Sequence, residues 1–460
     1  MSAVVDSQRK FAEHPRLPLI AVADLARAFA WHAGREISAA EFLADVFELA
    51  ERLPDAHYAV NLCTQRYDFL VAFCAAVAVG QTNLLPASRA PQAIAEVLRA
   101  YPDHYALTDD DVALPADLRR VSVPEARTGD SAFFSNLSIP VQQVVAIGFT
   151  SGSTGAPKPN PKTWGGFAAS SALNAQALTQ LGAAPQILAT VPPQHMYGLE
   201  LSVLLPLRSS AAIHTAQPLF PADIASALAQ LPQPRVLVTT PFHLRALLES
   251  DVTLPPLAGV VTATAPLAPD LARAVEARYA TRVLELFGST ETCVIAQRLT
   301  ARDETWSLYE GIELAPQPDG TLVHAPHFTA PTLLQDIVEL LPERRFALRG
   351  RSSDLLEIAG KRASLGDITR RLLAIEGVED AYVFQLDADA DADADSVRRL
   401  AALVVAPALD EAAIFDALRQ SLDAVFLPRP LKRVAALPRN ATGKLPREAV
   451  LEALGLNAAG

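Results

Sequence analysis

The chain has 460 residues, 50% of them hydrophobic, and sets 39 basic against 51 acidic residues for a formal net charge of −12. No long basic run is present, so the balance excludes a polynucleotide partner, while the length suggests roughly three compact units of about 150 residues each. Cys63, Cys74 and Cys293 are too few and too scattered for a disulfide framework or a zinc site, and read as buried thiols in a reducing compartment.

The first residues carry charges where a secretory signal needs an apolar core. The longest apolar run, FLVAFCAAVAV at 69–79, is well short of the roughly 20 residues that span a bilayer. A cytoplasmic protein with no membrane span is expected. From 20 to 110, helical stretches at 39–53, 66–80 and 90–101 alternate with short loops, and Asn83-Leu84-Leu85-Pro86 reads as a strand and turn. No catalytic constellation lies there, so the region reads as scaffold.

The stretch 141–158, VQQVVAIGFTSGSTGAPK, changes character. Gln143 to Phe149 read as a buried strand that runs directly into Thr150, Ser151, Gly152, Ser153, Thr154 and Gly155, with Pro157 and Lys158 closing the segment. Glycines let backbone approach a ligand, hydroxyls and N–H groups donate to phosphate oxygens, and the lysine adds positive charge. The spacing is neither a Walker loop nor a hydrolase elbow. On composition alone, a polyphosphate cradle and a mobile surface loop both fit.

From 141 to 292 strands and helices alternate. Apolar strands at 186–191, 235–239, 257–262 and 282–286 are separated by helical stretches near 163–181, 198–207, 221–231, 241–250 and 269–280. This pattern predicts a mostly parallel sheet covered on both faces, with ligands beyond the C-terminal strand ends. Each strand is followed by an unusual loop. The first carries His195, Tyr197 and Gly198, the next Thr240-Pro241-Phe242-His243, the third Thr262-Ala263-Thr264-Ala265-Pro266, and the last Phe287-Gly288-Ser289-Thr290-Glu291-Thr292. Threonine and proline are also common at ordinary helix N-termini, and a lone histidine is more often structural.

Residues 311–350 turn to short strands, as in GTLVHAP and RRFALRG, with Asp336 between them. After Gly350-Arg351-Ser352-Ser353-Asp354 a further domain is expected, with a loop at Gly360-Lys361-Arg362, a helix near 364–376 and strands near 379–386 and 400–406. The DADADADADS run at 387–396 lacks the glycine and distal glutamate of a calcium loop and reads as a solvated hairpin extension. Lys444 follows a turn in Pro438-Arg439-Asn440-Ala441-Thr442-Gly443.

TSGSTGAPK resembles the phosphate loop of the adenylate-forming (ANL) superfamily, the acyl-CoA synthetases and AMP-dependent carrier-loading ligases. Further motifs resembling that family follow in its order. The resemblance implies an α/β enzyme with a large N-terminal adenylation domain, 1–350, built of mostly parallel sheets covered by helices plus a small β region. A small mobile α+β lid domain, 351–460, would turn on a hinge near 350–354.

The resemblance implies that Thr150 to Gly155 and Lys158 bind ATP phosphates, and that His195 lines the acyl pocket near the reacting carboxylate. It places Phe287 and Gly288 at adenine, Thr290 at the α-phosphate and Glu291 on Mg²⁺. Asp336 and Arg351 would reach ribose or phosphate. Lys444 would hold the substrate carboxylate against the α-phosphate, and Tyr197, Phe242, Thr262 and Thr264 would line the substrate pocket. Two positions depart from the pattern: Ser353 stands where the pivot is usually Asp or Lys, and Pro159 replaces a glycine after Lys158.

NLLPASRAP and RFALRGRSSDLLEIAGKR look most like the ligases of xanthomonadin and aryl-polyene pigment pathways. That implies a hydroxybenzoate-type acid, activated with ATP and Mg²⁺ and loaded onto the phosphopantetheine thiol of an acyl carrier protein. The alternatives are free CoA as acceptor for an aryl or medium-chain fatty acid, a luciferase-like oxidation of the adenylate, and a non-catalytic nucleotide-binding module.

Overall fold

The computed structural model describes residues 15–86, 89–109, 114, 118–123, 136–151, 157–317, 320–351, 355–358, 361–386, 400–420, 422, 424–440 and 445–456. For 151, 157, 351, 355–358, 361–364 and 367 it describes the backbone alone. Gly152, Ser153, Thr154, Gly155, Ser353, Asp354, Gly360, the 387–396 run and Lys444 lie outside the described residues.

Two compact units are present: Met1–Glu313 with His324–Thr332, and Leu314–Val323 with Leu333–Gly460. The first holds two large sheets, beside a two-stranded pairing of Arg16–Pro18 with Ser138–Pro140. One has the strand order Pro157–Thr163, Val144–Ser151, Thr82–Leu85, Tyr58–Asn61, His104–Thr108, Arg120–Ser122. All its neighbours pair in parallel except the first two strands. Helix Arg66–Ala78 buries every position but Asp68. Such an all-round apolar helix belongs inside a core.

Here the sequence expectation of helices and loops with a single strand needs correction. Tyr58–Asn61 and His104–Thr108 are parallel strands beside Thr82–Leu85, and Ala28–His32 and Arg35–Ser38 belong to the second sheet. Each is only 4 or 5 residues long. Runs this short show no readable alternation, and those buried on both faces have none to show.

The second sheet of this unit runs Trp306–Leu308, Cys293–Arg298, Val283–Ser289, Gly259–Thr262, Arg235–Thr239, Gln186–Ala189, Ala212–His214, Ala28–His32, Arg35–Ser38. Its middle, from Val283–Ser289 to Ala28–His32, is parallel, and both flanks are antiparallel. The expected alternation of strands and helices is borne out from Gln186 to Ser289 except for the strand Ala212–His214, which the sequence reading did not include. Leu188, Leu237, Val260 and Val283 from the strands pack with Ile224, Leu244, Leu247 and Val275 from helices Pro221–Ala229, Pro241–Glu249 and Pro269–Tyr279. Full burial of such a side chain contributes about 1.5–3 kcal/mol, which makes this face a rigid mount for the loops at the strand ends.

In the second unit the hairpin of Asp336–Leu341 and Arg345–Arg351 turns through Glu343 and Arg344, both left-handed at φ 59° and 57°. A further sheet pairs Asp380–Gln385 with Leu400–Val405 and that strand with Leu431–Arg433. Ile368, Leu372, Ile414 and Leu418 pack beside Val383 and Val404, while Val450 and Leu454 pack beside Phe384 and Leu403. Adjacent strand positions point to opposite faces, so helices cover both sides of this small sheet. The three cysteines are buried thiols. Among the described residues no helix is long and apolar enough to cross a membrane.

Candidate active site

The strand Val144–Ser151 runs antiparallel to Pro157–Thr163, with Thr150 opposite Lys158 and Ser151 opposite Pro157. The sequence reading closed the loop at Pro157 and Lys158 and assigned no strand to PKPNPKT. That stretch forms the edge of its sheet, the one place where a proline-rich strand loses no ladder bond. The two strands flank the segment 152–156, which lies outside the described residues. Lys158 is exposed, and Thr150 is half-buried with its hydroxyl 3.5 Å from Glu291 Oε1.

Close backbone approach gathers two other motifs around this stem. A Cβ on Gly148 would stand 3.2 Å from Thr290 Cγ2, a tight contact that a shift of a few tenths of an ångström relieves, and 3.4 Å from Met196 Cε, so the strand, the Thr290 turn and the segment after His195 lie side by side. The turn itself is built by its own side chains. Ser289 N–H donates to Thr292 Oγ1 and Thr292 N–H to Ser289 Oγ, both at 3.1 Å. Lys162 Nζ donates to the Glu291 carbonyl at 2.6 Å, and His327 Nε2 donates to the Thr292 carbonyl at 2.8 Å. Thr290 and Glu291 are left half-buried. Phe287 lies 5.2 Å from the Trp306 ring, tilted by 46°.

His195 is half-buried at the start of the helical segment Met196–Arg208, its carbonyl accepting from Leu199 N–H at 2.7 Å. Gly198 packs so tightly on the Pro192 carbonyl that any side chain would collide with it. Tyr197 is buried and its hydroxyl donates to the Val261 carbonyl at 2.9 Å, so it contributes a ring face rather than a free hydroxyl. Burial raises its pKa well above the usual phenol range.

Sequence reasoning missed two buried charges behind these loops. Glu200, 1% exposed, opens the π-helical turn Glu200–Leu204 and accepts from Ser170 Oγ at 2.7 Å, Asn174 Nδ2 at 3.0 Å and Val294 N–H at 3.1 Å. It thus fastens the histidine segment to the strand that leaves the Glu291 turn, and its carboxyl pKa is raised by burial. Arg66, fully buried, donates to the carbonyls of Ala189 and Val191 at 2.9 and 2.8 Å and to the Ser202 hydroxyl. Desolvation pulls its pKa down to about 9. A single charge within an apolar run, as in MYGLELSVLL, was the available signal.

Of the proposed pocket residues, Thr262 is fully buried and Phe242 is 45% exposed. Thr264 is exposed with a left-handed φ of 79°. In the second unit Asp336 and Arg351 stand directly opposite each other in their hairpin, so two residues assigned to one nucleotide share a register position. The Glu291 carboxylate and Thr150 hydroxyl are hard oxygen donors, and no cluster of three potential metal ligands exists among the described residues. That set fits magnesium, which is usually held by one or two carboxylates plus substrate phosphates.

Residues 25–315 match the model of the AMP-binding enzyme family. A 4-coumarate–CoA ligase of Halorhodospira halophila is 32% identical over 314 residues, covering 64% of this chain and 73% of that enzyme. ATP-bound MatB from Rhodopseudomonas palustris superposes with a TM-score of 0.78 at 20% identity, over 98% of this chain and 99% of that one. The o-succinylbenzoate CoA synthetase (MenE) of Bacillus subtilis, in complex with its acyl-adenylate intermediate, gives 0.78 at 16% identity over 100% and 98%. Both structures share the α/β fold described above, and with the family model spanning well over half its length, the chain belongs to the AMP-binding enzymes and is an AMP-forming, adenylate-forming ligase.

Proposed function

We propose that the protein activates a hydroxybenzoate-type aryl acid with ATP and passes the acyl group to the phosphopantetheine thiol of an acyl carrier protein. The observation that carries the first half is the meeting of the Thr150 hydroxyl, Thr290 and the Glu291 carboxylate at the end of one hairpin. In the first step a carboxylate oxygen attacks the α-phosphorus and pyrophosphate leaves. In the second the thiol sulfur attacks the acyl carbon, AMP leaves, and the thiol proton passes to solvent.

Thr150, Ser151, the segment 152–155 and Lys158 hold the outer phosphates. Thr290 contacts the α-phosphate, and Phe287 with Gly288 borders adenine. Glu291 would hold Mg²⁺, which offsets negative charge on the departing pyrophosphate. Asp336 and Arg351 secure the ribose. His195 orients the carboxylate, and Lys444 neutralises it together with the α-phosphate so that two anions can approach. Residues 351–460 then turn about 350–354, withdrawing Lys444 and presenting the Gly360 loop to the thiol.

A second reading, free CoA as acceptor, is favoured by the 4-coumarate–CoA ligase relative. ATP–pyrophosphate exchange across benzoates, cinnamates, amino acids and medium-chain fatty acids tests adenylation. Thioester formation with a phosphopantetheinylated carrier protein against CoA then separates the acceptors. Exchange with a benzoate that Lys444→Ala abolishes is the expected result. ATP binding without exchange for any acid would leave only a nucleotide-binding module.

A further inference from the structure

The parallel strands of the second sheet end in a row of hydroxyls. Thr190 continues its strand past Ala189, its N–H bonded to the Val238 carbonyl at 3.0 Å, and Thr239 and Thr262 are register partners on the next two strands. Register partners in a ladder share a face, and the 2.9 Å bond between the Thr190 and Thr239 hydroxyls confirms it for the first two. The Thr262 hydroxyl, fully buried, has no partner.

His243, 2% exposed, adjoins this row. Its Nδ1 lies 2.9 Å from Thr240 Oγ1 and 3.4 Å from Thr190 Oγ1, while Nε2 is buried without a partner. Phe242, the preceding residue, is 45% exposed and meets the imidazole edge-on at 5.4 Å. Two bare polar atoms in a core are costly, and native proteins retain such atoms where something else satisfies them. These two stand at the C-terminal ends of parallel strands, where open α/β sheets take their ligands.

The missing partner can be specified chemically. Desolvation lowers the His243 pKa, so the ring is neutral at pH 7. If Nδ1 accepts from Thr240, Nε2–H must donate; in the other tautomer Nε2 must accept. A hydroxyl satisfies either case, and the Thr262 hydroxyl can likewise give or take. We infer that His243, with Thr262, determines specificity by bonding a hydroxyl on the acid substrate at a position remote from the reacting carboxylate. The inference rests on the aryl-acid ligase reading and adds to it the residues that tell a hydroxylated acid from its unsubstituted analogue.

The test is ATP–pyrophosphate exchange by wild type, His243→Phe and Thr262→Val, with hydroxybenzoates and hydroxycinnamates paired against benzoate and cinnamate. Wild type should prefer the hydroxylated member about 10²-fold or more in kcat/KM, because the analogue leaves buried polar groups unpaired. His243→Phe should erase most of that preference, lowering the hydroxylated acid while leaving the unsubstituted one within about threefold, and Thr262→Val should do so about tenfold. Equal losses for both members, or none, would overturn the proposal and leave an enclosed water as the partner. Thr262→Val is nearly isosteric and reads the same ratio should His243→Phe fail to fold. Exchange with aliphatic acids only would sink the aryl reading, and the ratio for hydroxylated against plain aliphatic acids would still judge the pair.

Discussion

The two large sheets of the first unit end in different ways. At the strand ends of the smaller sheet, polar side chains are consumed locally: Asn61 bonds the Phe69 carbonyl and the Cys63 N–H, and Asp109 accepts from Thr64 N–H at 2.7 Å, Thr64 Oγ1 at 3.1 Å and Gln65 N–H at 2.5 Å. Asp109 thereby anchors the entry to helix Arg66–Ala78. At the ends of the larger sheet, His243 and Thr262 keep buried polar atoms bare, and Thr290 and Glu291 stay half-open on a turn secured from behind. The architecture is the same. At these strand ends the difference is whether the polar groups named here find partners within the chain, while Asn83 Oδ1 inside the smaller sheet is also buried without one.

The contrast breaks first at Glu291. Glu291→Ala should lower ATP–pyrophosphate exchange by about 10²–10³-fold while moving stability by less than about 0.5 kcal/mol, read from exchange kinetics and urea unfolding. An equal fall in stability would assign Glu291 to the scaffold. Glu200→Ala should do both kinds of damage. It strips the acceptor from Ser170, Asn174 and Val294, costing about 3 kcal/mol, and loosens the Glu291 turn so that KM for Mg·ATP rises. Glu200→Gln, which keeps one acceptor oxygen, should recover part of each.

On the smaller sheet, Asp109→Ala should cost about 1–2 kcal/mol and leave kcat/KM unchanged, since it loses a helix-entry cap and nothing else. A kinetic defect there would erase the distinction between the sheets. The smallest effect is acid sensitivity. Burial lowers the pKa of His214, His243 and His327, so the folded chain binds protons less readily than the unfolded one. Stability is therefore full above about pH 6.5 and is lost as pH falls below it. His243→Phe should flatten part of that slope in pH-dependent urea midpoints.

The sequence made some of this visible and concealed the rest for definite reasons. Strands such as Arg235–Thr239 announce themselves because an apolar run sits between helical stretches, and the loops after them stand out because Gly, Thr, His and Glu follow at once. Tyr58–Asn61 and His104–Thr108 were invisible, being short and set among turn residues. His243 could be read only as part of an ordinary helix start. Its unpartnered Nε2 is a property of three-dimensional packing, and so is the reach of Glu200 across 94 positions to Val294. That Asp336 faces Arg351 depends on hairpin register, which motif order does not encode.

The edge strand Pro157–Thr163 carries one more implication. Alternate residues of a strand direct their N–H groups to the same side, and Pro157, Pro159 and Pro161 alternate with Lys158, Asn160 and Lys162. The residues bonded to Val144–Ser151 keep their donors, while the outward margin is stripped of them, with Pro159 and Pro161 exposed along it. A second chain seeking to extend the sheet meets a margin unable to donate, so crowding at high concentration has no template for fibre-like stacking at this margin. Restoring donors there with Pro159→Thr and Pro161→Thr would trade colloidal solubility for self-association, measurable by light scattering.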